Sequence, residues 1–362
     1  MRLIYLYYRG RNYPFKHVQS DGHYDLIREM VKQEIVPEAH IYWEEYASRA
    51  PKVYAEEKNF TAVSVPNIDN IKVQPGDVIW VRGGWKAWLP KIEEWIANKH
   101  WLLYYGANTG HERWTFWDFI FTDCKDLYGY DRHYRTWIPY RKPVSSTFGY
   151  KEKPLTYDVC IGASHVTKRK GQWRTWNMIE EYQKQFGTLN CIIPGDFTPD
   201  FKTRTLYSTV SKLPNVTTPG FVSREKLCDI FNRTKVFIHL GGGGQNDRSV
   251  LEAGTCGCKI ILLNGKWHSS FIKNNTENVF VFKDTRCVFD VDETPFADGV
   301  AALYKMLNTT THKTKKAFAD FFKWENGLQQ RAIPAMKKLF VFLKKHPRAS
   351  HEAIEREFPR CS

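Results

Sequence analysis

The sequence predicts an α/β protein of two halves, each a parallel sheet covered by helices. Three observations predict it. The length of 362 residues suits two domains of ordinary size. Apolar strand-like runs alternate with amphipathic helical stretches, the grammar of a parallel sheet. That grammar breaks off near the middle and then starts again. The break is the basic, aperiodic stretch Arg132-His-Tyr-Arg-Thr-Trp-Ile-Pro-Tyr-Arg-Lys-Pro143, followed by Gly149–Pro154. The expected division is residues 1–150, residues 151–325, and a C-terminal helix and tail over 326–362.

The first half opens with a buried strand over Leu3–Tyr8, a polar loop over Arg9–Gly22 and a helix over Tyr24–Glu34. Asp77–Gly84 reads as a second buried strand ending in a glycine turn. Lys91–Asn98 has helical spacing, and His100–Gly106 is another strand. The second half begins with a strand over Tyr157–Gly162, a helix over Thr175–Phe186 and a strand over Leu189–Pro194. A helix over Arg224–Asn232 leads into a strand over Lys235–Leu240, and a further helix and strand end at Leu263. Ala297–Leu307 and Gln329–Lys345 are amphipathic helices. There is no short repeat and no low-complexity tract.

Composition narrows the class. With 42% hydrophobic and 25% charged residues, a packed core is expected and wholesale disorder is excluded. No run approaches the ~20 apolar residues of a membrane span. The apolar start ends at Arg9 and Arg11, too early for a signal peptide, so a cytoplasmic monomer is expected. The eight cysteines are scattered in apolar contexts, which suits free thiols. Cys256-Gly-Cys258 lacks the second ligand pair of a zinc site. A net charge of +14 favours a polyanionic partner. The 13 tryptophans suit stacking on bases or sugar rings, and core filling explains them equally well.

The most informative segment runs from Val236 to Leu263. An apolar strand enters four glycines (Gly241–Gly244), then a polar turn, a helix and another apolar strand. Glycines let a ligand approach the backbone, and the helix start offers N–H groups and a positive dipole end, together suiting a diphosphate. Arg248 adds charge there. Glu252, about one turn into the helix, suits two hydroxyls of a ribose. A blander reading also fits: Ser249-Val-Leu-Glu252 spells a capping box, in which Glu252 serves only the helix backbone. The basic stretch Lys168-Arg-Lys-Gly-Gln-Trp-Arg174 follows a strand at its carboxyl end and reads as a phosphate clamp, or else as a solvated turn.

The order strand, loop, Ser249-Val-Leu-Glu-Ala-Gly-Thr-Cys-Gly257, strand resembles the donor-site signature of GT-B glycosyltransferases. The resemblance runs in order over about 155–345. It includes Tyr157-Asp-Val-Cys-Ile-Gly-Ala-Ser164, Lys170-Gly171, Pro219-Gly-Phe-Val-Ser223 and Phe322-Lys-Trp-Glu325. It implies two Rossmann-like domains facing a central cleft, with a C-terminal helix crossing back to the first. It also implies a donor site of Ser164, Lys170, Arg174, Phe221, Val222, Gly243, Gly244, Asn246, Asp247, Arg248, Ser249, Val250 and Glu252. The backbone around Phe221 would read the base. Many retaining members carry a second glutamate eight positions before the ribose-binding one, where this chain has Gly244. The loop Asn246-Asp247-Arg248 with Glu252 is similar instead to T-even phage DNA glucosyltransferases.

In the first half, Asn108-Thr-Gly-His-Glu-Arg113 follows a strand, and Asp21-Gly-His23 sits in another loop. His111, Glu112 and Asp21 are the candidate catalytic groups, since an attacking hydroxyl needs a base if the enzyme inverts. Each is equally an ordinary loop or cap residue. The expected reaction moves a sugar from a UDP-glucose-like donor to a hydroxyl, with no cofactor and no metal. The preferred acceptor is a hydroxymethylated base of phage or viral DNA, held by Arg132, Arg135, Arg141 and Lys142, with Trp85, Trp88 and Trp114 filling the gap left by a flipped base. The alternatives are a surface glycan or lipid-linked saccharide, a nucleotide-sugar epimerase, and a non-catalytic nucleic-acid-binding GT-B shell.

Overall fold

Leu3-Ile-Tyr-Leu-Tyr7 is buried at every position, because a parallel strand covered on both faces has no solvent side. The same holds for most central strands of the computed structural model. It describes all residues except 8–11, 20, 47–48, 84, 106–115, 123–136, 140–142, 163–164, 167–169, 198–200, 242–247, 264–274, 276, 283–295, 327, 347–355 and 357–362. The chain forms two compact units, one from Met1–Ser145 with Gly327–Ser362, the other from Ser146–Asn326.

The first unit contains β1 (Leu3–Tyr7), α1 (Phe15–Gln19), α2 (Gly22–Lys32), β2 (Ala39–Glu44), β3 (Lys52–Glu57), β4 (Phe60–Val65), β5 (Val78–Arg82), α3 (Trp85–Ala97), β6 (Trp101–Tyr105), β7 (Phe119–Thr122) and β8 (Trp137–Pro139). They make one sheet in the order β3-β4-β2-β1-β5-β6-β7-β8. All pairs are parallel except β3 with β4. Side chains alternate between the two faces. Tyr5, Trp80 and Leu103 share one core with Met336, Leu339 and Phe340 of the C-terminal helix. Ile4, Ile79 and Leu102 pack on the other face with Trp88, Ile92 and Trp95 of α3.

Several sequence expectations need correction here. The loop expected over Arg9–Gly22 contains α1, and Gly22 already belongs to α2. Helix α3 starts at Trp85 rather than Lys91 and passes through Pro90, a residue that lies ahead of the expected start. Trp88 is 1% exposed and donates from Nε1 to the Gly83 carbonyl at 3.3 Å. It fills the core and is not placed to stack on a base. Trp114 and the side chain of Trp85 lie outside the described residues.

The second unit contains β9 (Tyr157–Ile161), β10 (His165–Val166), α4 (Gln172–Phe186), β11 (Cys191–Pro194), β12 (Asp196–Phe197), α5 (Phe201–Val210), β13 (Val216–Gly220), α6 (Arg224–Asn232), β14 (Thr234–His239), α7 (Arg248–Thr255), β15 (Lys259–Leu263), β16 (Val279–Phe282), α8 (Ala297–Thr309) and α9 (His312–Asn326). Its main sheet has the order β13-β11-β9-β14-β15-β16, parallel throughout, and β10 pairs with β12. Helix α9 is fastened by small residues. A Cβ on Gly254 would meet the Phe322 ring at 2.6 Å, and one on Gly257 would meet the Lys315 carbonyl oxygen at 2.4 Å. The buried Lys315 ammonium donates to the carbonyls of Phe231 and Thr234.

After α9, a single π-helical turn over Leu328–Ala332 precedes α10 (Ile333–Lys345), which belongs to the first unit. The helix expected over Gln329–Lys345 is therefore present, with its first turn wound as a π-helix. Among the described residues, Cys160, Cys191, Cys228, Cys256 and Cys258 are free and buried. No described helix is long and apolar enough to cross a membrane.

Candidate functional site

In the second unit, β9 lies between β11 and β14, so the chain's connections diverge on either side of it. Ligands of parallel sheets bind at the carboxyl ends of strands at such a switch point. Two loops leave this edge, one from β9 toward α4 and one from β14 toward α7, and glycine packs them together. A Cβ on Gly171 would lie 2.2 Å from the Leu240 carbonyl oxygen, and one on Gly241 would lie 2.5 Å from that of Lys170. Gly171 also has φ +68°, a left-handed conformation that favours glycine.

Gly171 is the N-cap of α4 and supplies no side-chain cap, and neither α4 nor α7 carries an acidic residue in its first turn. Two helix N-termini thus follow the two switch-point strands, each a positive dipole end. Lys170 precedes α4, Arg174 lies in its first turn, and Arg248 opens α7. Arg174 is 8% exposed, with its guanidinium 5.0 Å from the Trp173 ring centroid. The clamp expected as a loop over Lys168–Arg174 is therefore part loop and part helix. Helix N-termini with cations beside them are a physical recipe for binding a phosphate or diphosphate.

Glu252 is 1% exposed. Because α7 begins at Arg248, Ser249 sits inside the first turn, which removes it as the N-cap of a capping box. The Glu252 carboxylate meets Nη2 of Arg224 on α6, and that guanidinium lies 4.6 Å from the Phe148 ring centroid. Ser249 and Val250 are buried in the same turn. Arg224 went unread because, in one dimension, it is only the first residue of a helix capped by Ser223. The spacing between α6 and α7 carries no trace of the contact.

Phe221 follows β13, and its N–H donates to Asp196 Oδ1 at 3.0 Å. The backbone donor expected to read a base is thus held by a carboxylate that the sequence did not single out. The Phe221 ring is 62% exposed. Val222 follows it in the same segment. A groove of ≈ 490 Å³ opens nearby, lined by Asp196, Phe197, Arg204, Tyr207 and Gly220.

The first unit has its own switch point, between β1 and β5. Tyr7 and Arg82 end these strands in register, and Asp21 joins them as the N-cap of α2. Its carboxylate accepts from Arg82 Nε at 2.8 Å, pairs with His23 Nδ1 at 2.7 Å and accepts from the Tyr7 hydroxyl at 3.4 Å. The Arg82 guanidinium sits 4.7 Å from the Tyr105 ring centroid. Asp21 and His23 are 0% exposed and Arg82 3%, so the expected catalytic Asp21 is buried among these partners.

No protein-family model matches the sequence, and no curated protein matches it. Solved structures do. The E. coli trehalose-6-phosphate protein bound with UDP-2-fluoro glucose superposes with TM-score 0.60 at 10% identity, over 97% of this chain and 100% of that chain. Anabaena HepE in complex with UDP and glucose gives 0.59 at 12% identity, over 95% and 100%. Sucrose-phosphate synthase from Thermosynechococcus elongatus gives 0.54 at 13% identity, over 94% and 100%. The chain has the GT-B fold.

On a GT-B frame, the described part of the donor-site expectation falls around one switch point: Lys170, Arg174, Arg248, Ser249, Val250 and Glu252, with Phe221 and Val222 following the edge strand β13. Ser164, Gly243, Gly244, Asn246 and Asp247 lie outside the described residues. So do His111, Glu112, Arg132, Arg135, Arg141 and Lys142. Among the described residues, no group of three or more His, Cys, Asp or Glu side chains is arranged to hold a metal ion.

Proposed function

We propose that the protein is a glycosyltransferase that moves a hexose from a UDP-sugar to a hydroxyl acceptor. One observation carries the reading: a buried glutamate one turn into α7, behind two helix N-termini that are flanked by cations. This set matches a nucleoside diphosphate group by group. Lys170, Arg174, Arg248 and the helix ends face the phosphates, and Glu252 accepts from the ribose hydroxyls. Two fold neighbours hold UDP-2-fluoro glucose, and UDP with glucose, respectively, which supports the choice of donor.

In the reaction, the acceptor oxygen bonds to the anomeric carbon and the bond from that carbon to the diphosphate breaks, its electron pair leaving with UDP. The cations and helix dipoles stabilise the charge on the departing diphosphate, work that a metal ion does elsewhere. His111 and Glu112 are the proposed takers of the acceptor proton. Asp21, buried behind Arg82 and His23, is proposed to orient its neighbours instead.

For the acceptor, the net charge of +14 favours a polyanion, and hydroxymethylated DNA held by Arg132, Arg135, Arg141 and Lys142 is the proposed class. The basic, aromatic stretch Arg132–Lys142 and the likeness of Asn246-Asp247-Arg248 with Glu252 to phage DNA glucosyltransferases support the same choice. A saccharide acceptor is the competing reading. Two measurements decide. Replacing Lys170 and Arg174 with glutamine should weaken UDP by roughly 10- to 100-fold while leaving uridine nearly unchanged; equal losses for both ligands would refute the phosphate assignment. Mass spectrometry after incubation with UDP-glucose should find a hexose on hydroxymethylated DNA and none on unmodified DNA. Hexose on oligosaccharides alone would overturn the DNA reading and keep the glycosyltransferase.

A further inference from the structure

Burying a carboxylate is costly unless a partner keeps it ionised. At 1% exposure, Glu252 needs such a partner, and Arg224 supplies one from a different helix. The arginine is itself firmly held. It opens α6, whose N-cap Ser223 accepts from the Lys226 N–H at 3.2 Å. Its guanidinium covers the Phe148 ring at 4.6 Å, a favourable cation–π contact. Its Nη2 reaches Glu252, and its buried Nε donates to no described group.

We propose that Arg224 is a positioning residue for the nucleoside, acting through Glu252. The inference rests on the donor reading above and deepens it. A protonated carboxyl would trade one acceptor oxygen for a donor, whereas a diol donates two O–H groups and needs an acceptor-only partner. The guanidinium, itself held over the Phe148 ring, anchors one oxygen of the Glu252 carboxylate by a charge-assisted contact. A carboxylate has about four lone-pair sites, so the Arg224 contact does not by itself exhaust it. The Arg224 Nε–H suits an oxygen of the same nucleoside. Arg224 also ends the short segment Phe221-Val-Ser-Arg224 that follows β13, so a single stretch of chain would couple recognition of the base to recognition of the ribose.

The test compares UDP with 2′-deoxy-UDP by calorimetry in the wild type, Arg224→Met and Arg224→Lys, with melting temperatures recorded alongside. The wild type should bind UDP about tenfold or more tightly than its 2′-deoxy analogue, the usual loss for a hydrogen bond to a charged group. Arg224→Met should bring UDP down to the level of 2′-deoxy-UDP while leaving the analogue nearly unchanged, so the ratio collapses toward one. Arg224→Lys, which keeps the charge without the planar fork, should recover part of the ratio. If the wild type does not discriminate, the ribose role of Glu252 fails and this inference with it. If the wild type discriminates and Arg224→Met still does, this inference alone is overturned. Equal loss of both ligands together with a lowered melting temperature would show a structural role and also overturn it. Should Arg224→Met fail to fold, the ratio in Arg224→Lys decides: an undiminished ratio overturns the proposal, and a reduced one supports it.

Discussion

Gly171→Ala tests the joint between the two loops proposed to hold the donor, and Gly76→Ala provides its control. Both glycines have left-handed backbones, φ +68° and +84°. A Cβ at Gly76 meets nothing within 4 Å, whereas one at Gly171 would sit 2.2 Å from the Leu240 carbonyl oxygen. Gly76→Ala therefore costs only backbone strain, about 1–2 kcal/mol. Gly171→Ala adds a clash with backbone that can be relieved only by parting the loops by roughly 1 Å, and overpacking of this kind costs a further 1–3 kcal/mol or so. With about 2–4 °C of melting temperature per kcal/mol for a unit of this size, the two variants should separate clearly by scanning fluorimetry. Because the moved atoms adjoin Lys170 and Gly241, UDP affinity in Gly171→Ala should fall by about 10- to 100-fold, while Gly76→Ala binds as the wild type does. An affinity in Gly171→Ala within about twofold of the control would refute the claim that these loops form the phosphate site.

Two other expectations concern buried charge and thiols. Asp21→Leu or Arg82→Met alone leaves a buried charge without its partner and should cost about 3–5 kcal/mol in denaturant unfolding, with the double variant milder than either; strictly additive losses would show that the two charges do not compensate each other. Burial pushes the Cys191 thiol up to about 12, while a hydrogen bond from Cys256, at 3.9 Å between sulfurs, draws Cys228 down to about 6. Ionisation of a buried thiol is read without a reagent: the ultraviolet thiolate absorbance lost in Cys228→Ser should rise through about pH 6 in the wild type. A Cys191→Ser variant that removes this step instead would contradict the assignment.

The parts of the fold legible in the sequence were those with strong local signals. Leu3–Tyr7, Val78–Val81 and Ile260–Leu263 are uninterrupted apolar runs and lie in strands inside the two sheets. The helix over Arg224–Asn232 was readable to the residue, because Ser223 marks its start. Strands β2 and β4 were missed: each mixes polar residues among apolar ones and depends on neighbours for its pairing. Helix α5 has a weak apolar stripe, and α9 is held by Gly254, Gly257 and Lys315, whose partners are remote in the chain. The candidate site divides the same way. Lys170 and Glu252 stand beside glycines that advertise a loop, whereas Arg224, Asp196 and Phe148 matter only through contacts that no spacing encodes.

The antiparallel strand β3 has a role of its own. Among its residues Lys52, Glu56 and Glu57 are exposed, and Glu57 is further tied to Arg28 on α2 at 2.8 Å. It lies along β4, Phe60-Thr-Ala-Val-Ser-Val65, an uncharged and strongly β-prone segment. Left as the margin of the sheet, β4 would offer a full row of unpaired N–H and C=O groups to any similar strand. The charged hairpin covers that sticky margin with a strand whose ends carry solvated charges. At the other sheet, Pro219 within edge strand β13 blunts the margin by lacking a donor. A chain shortened by removing β3 would keep every residue assigned to the donor site and lose its protection against self-association. Trimming this protein for expression should therefore spare residues 52–57, however dispensable they look from the chemistry.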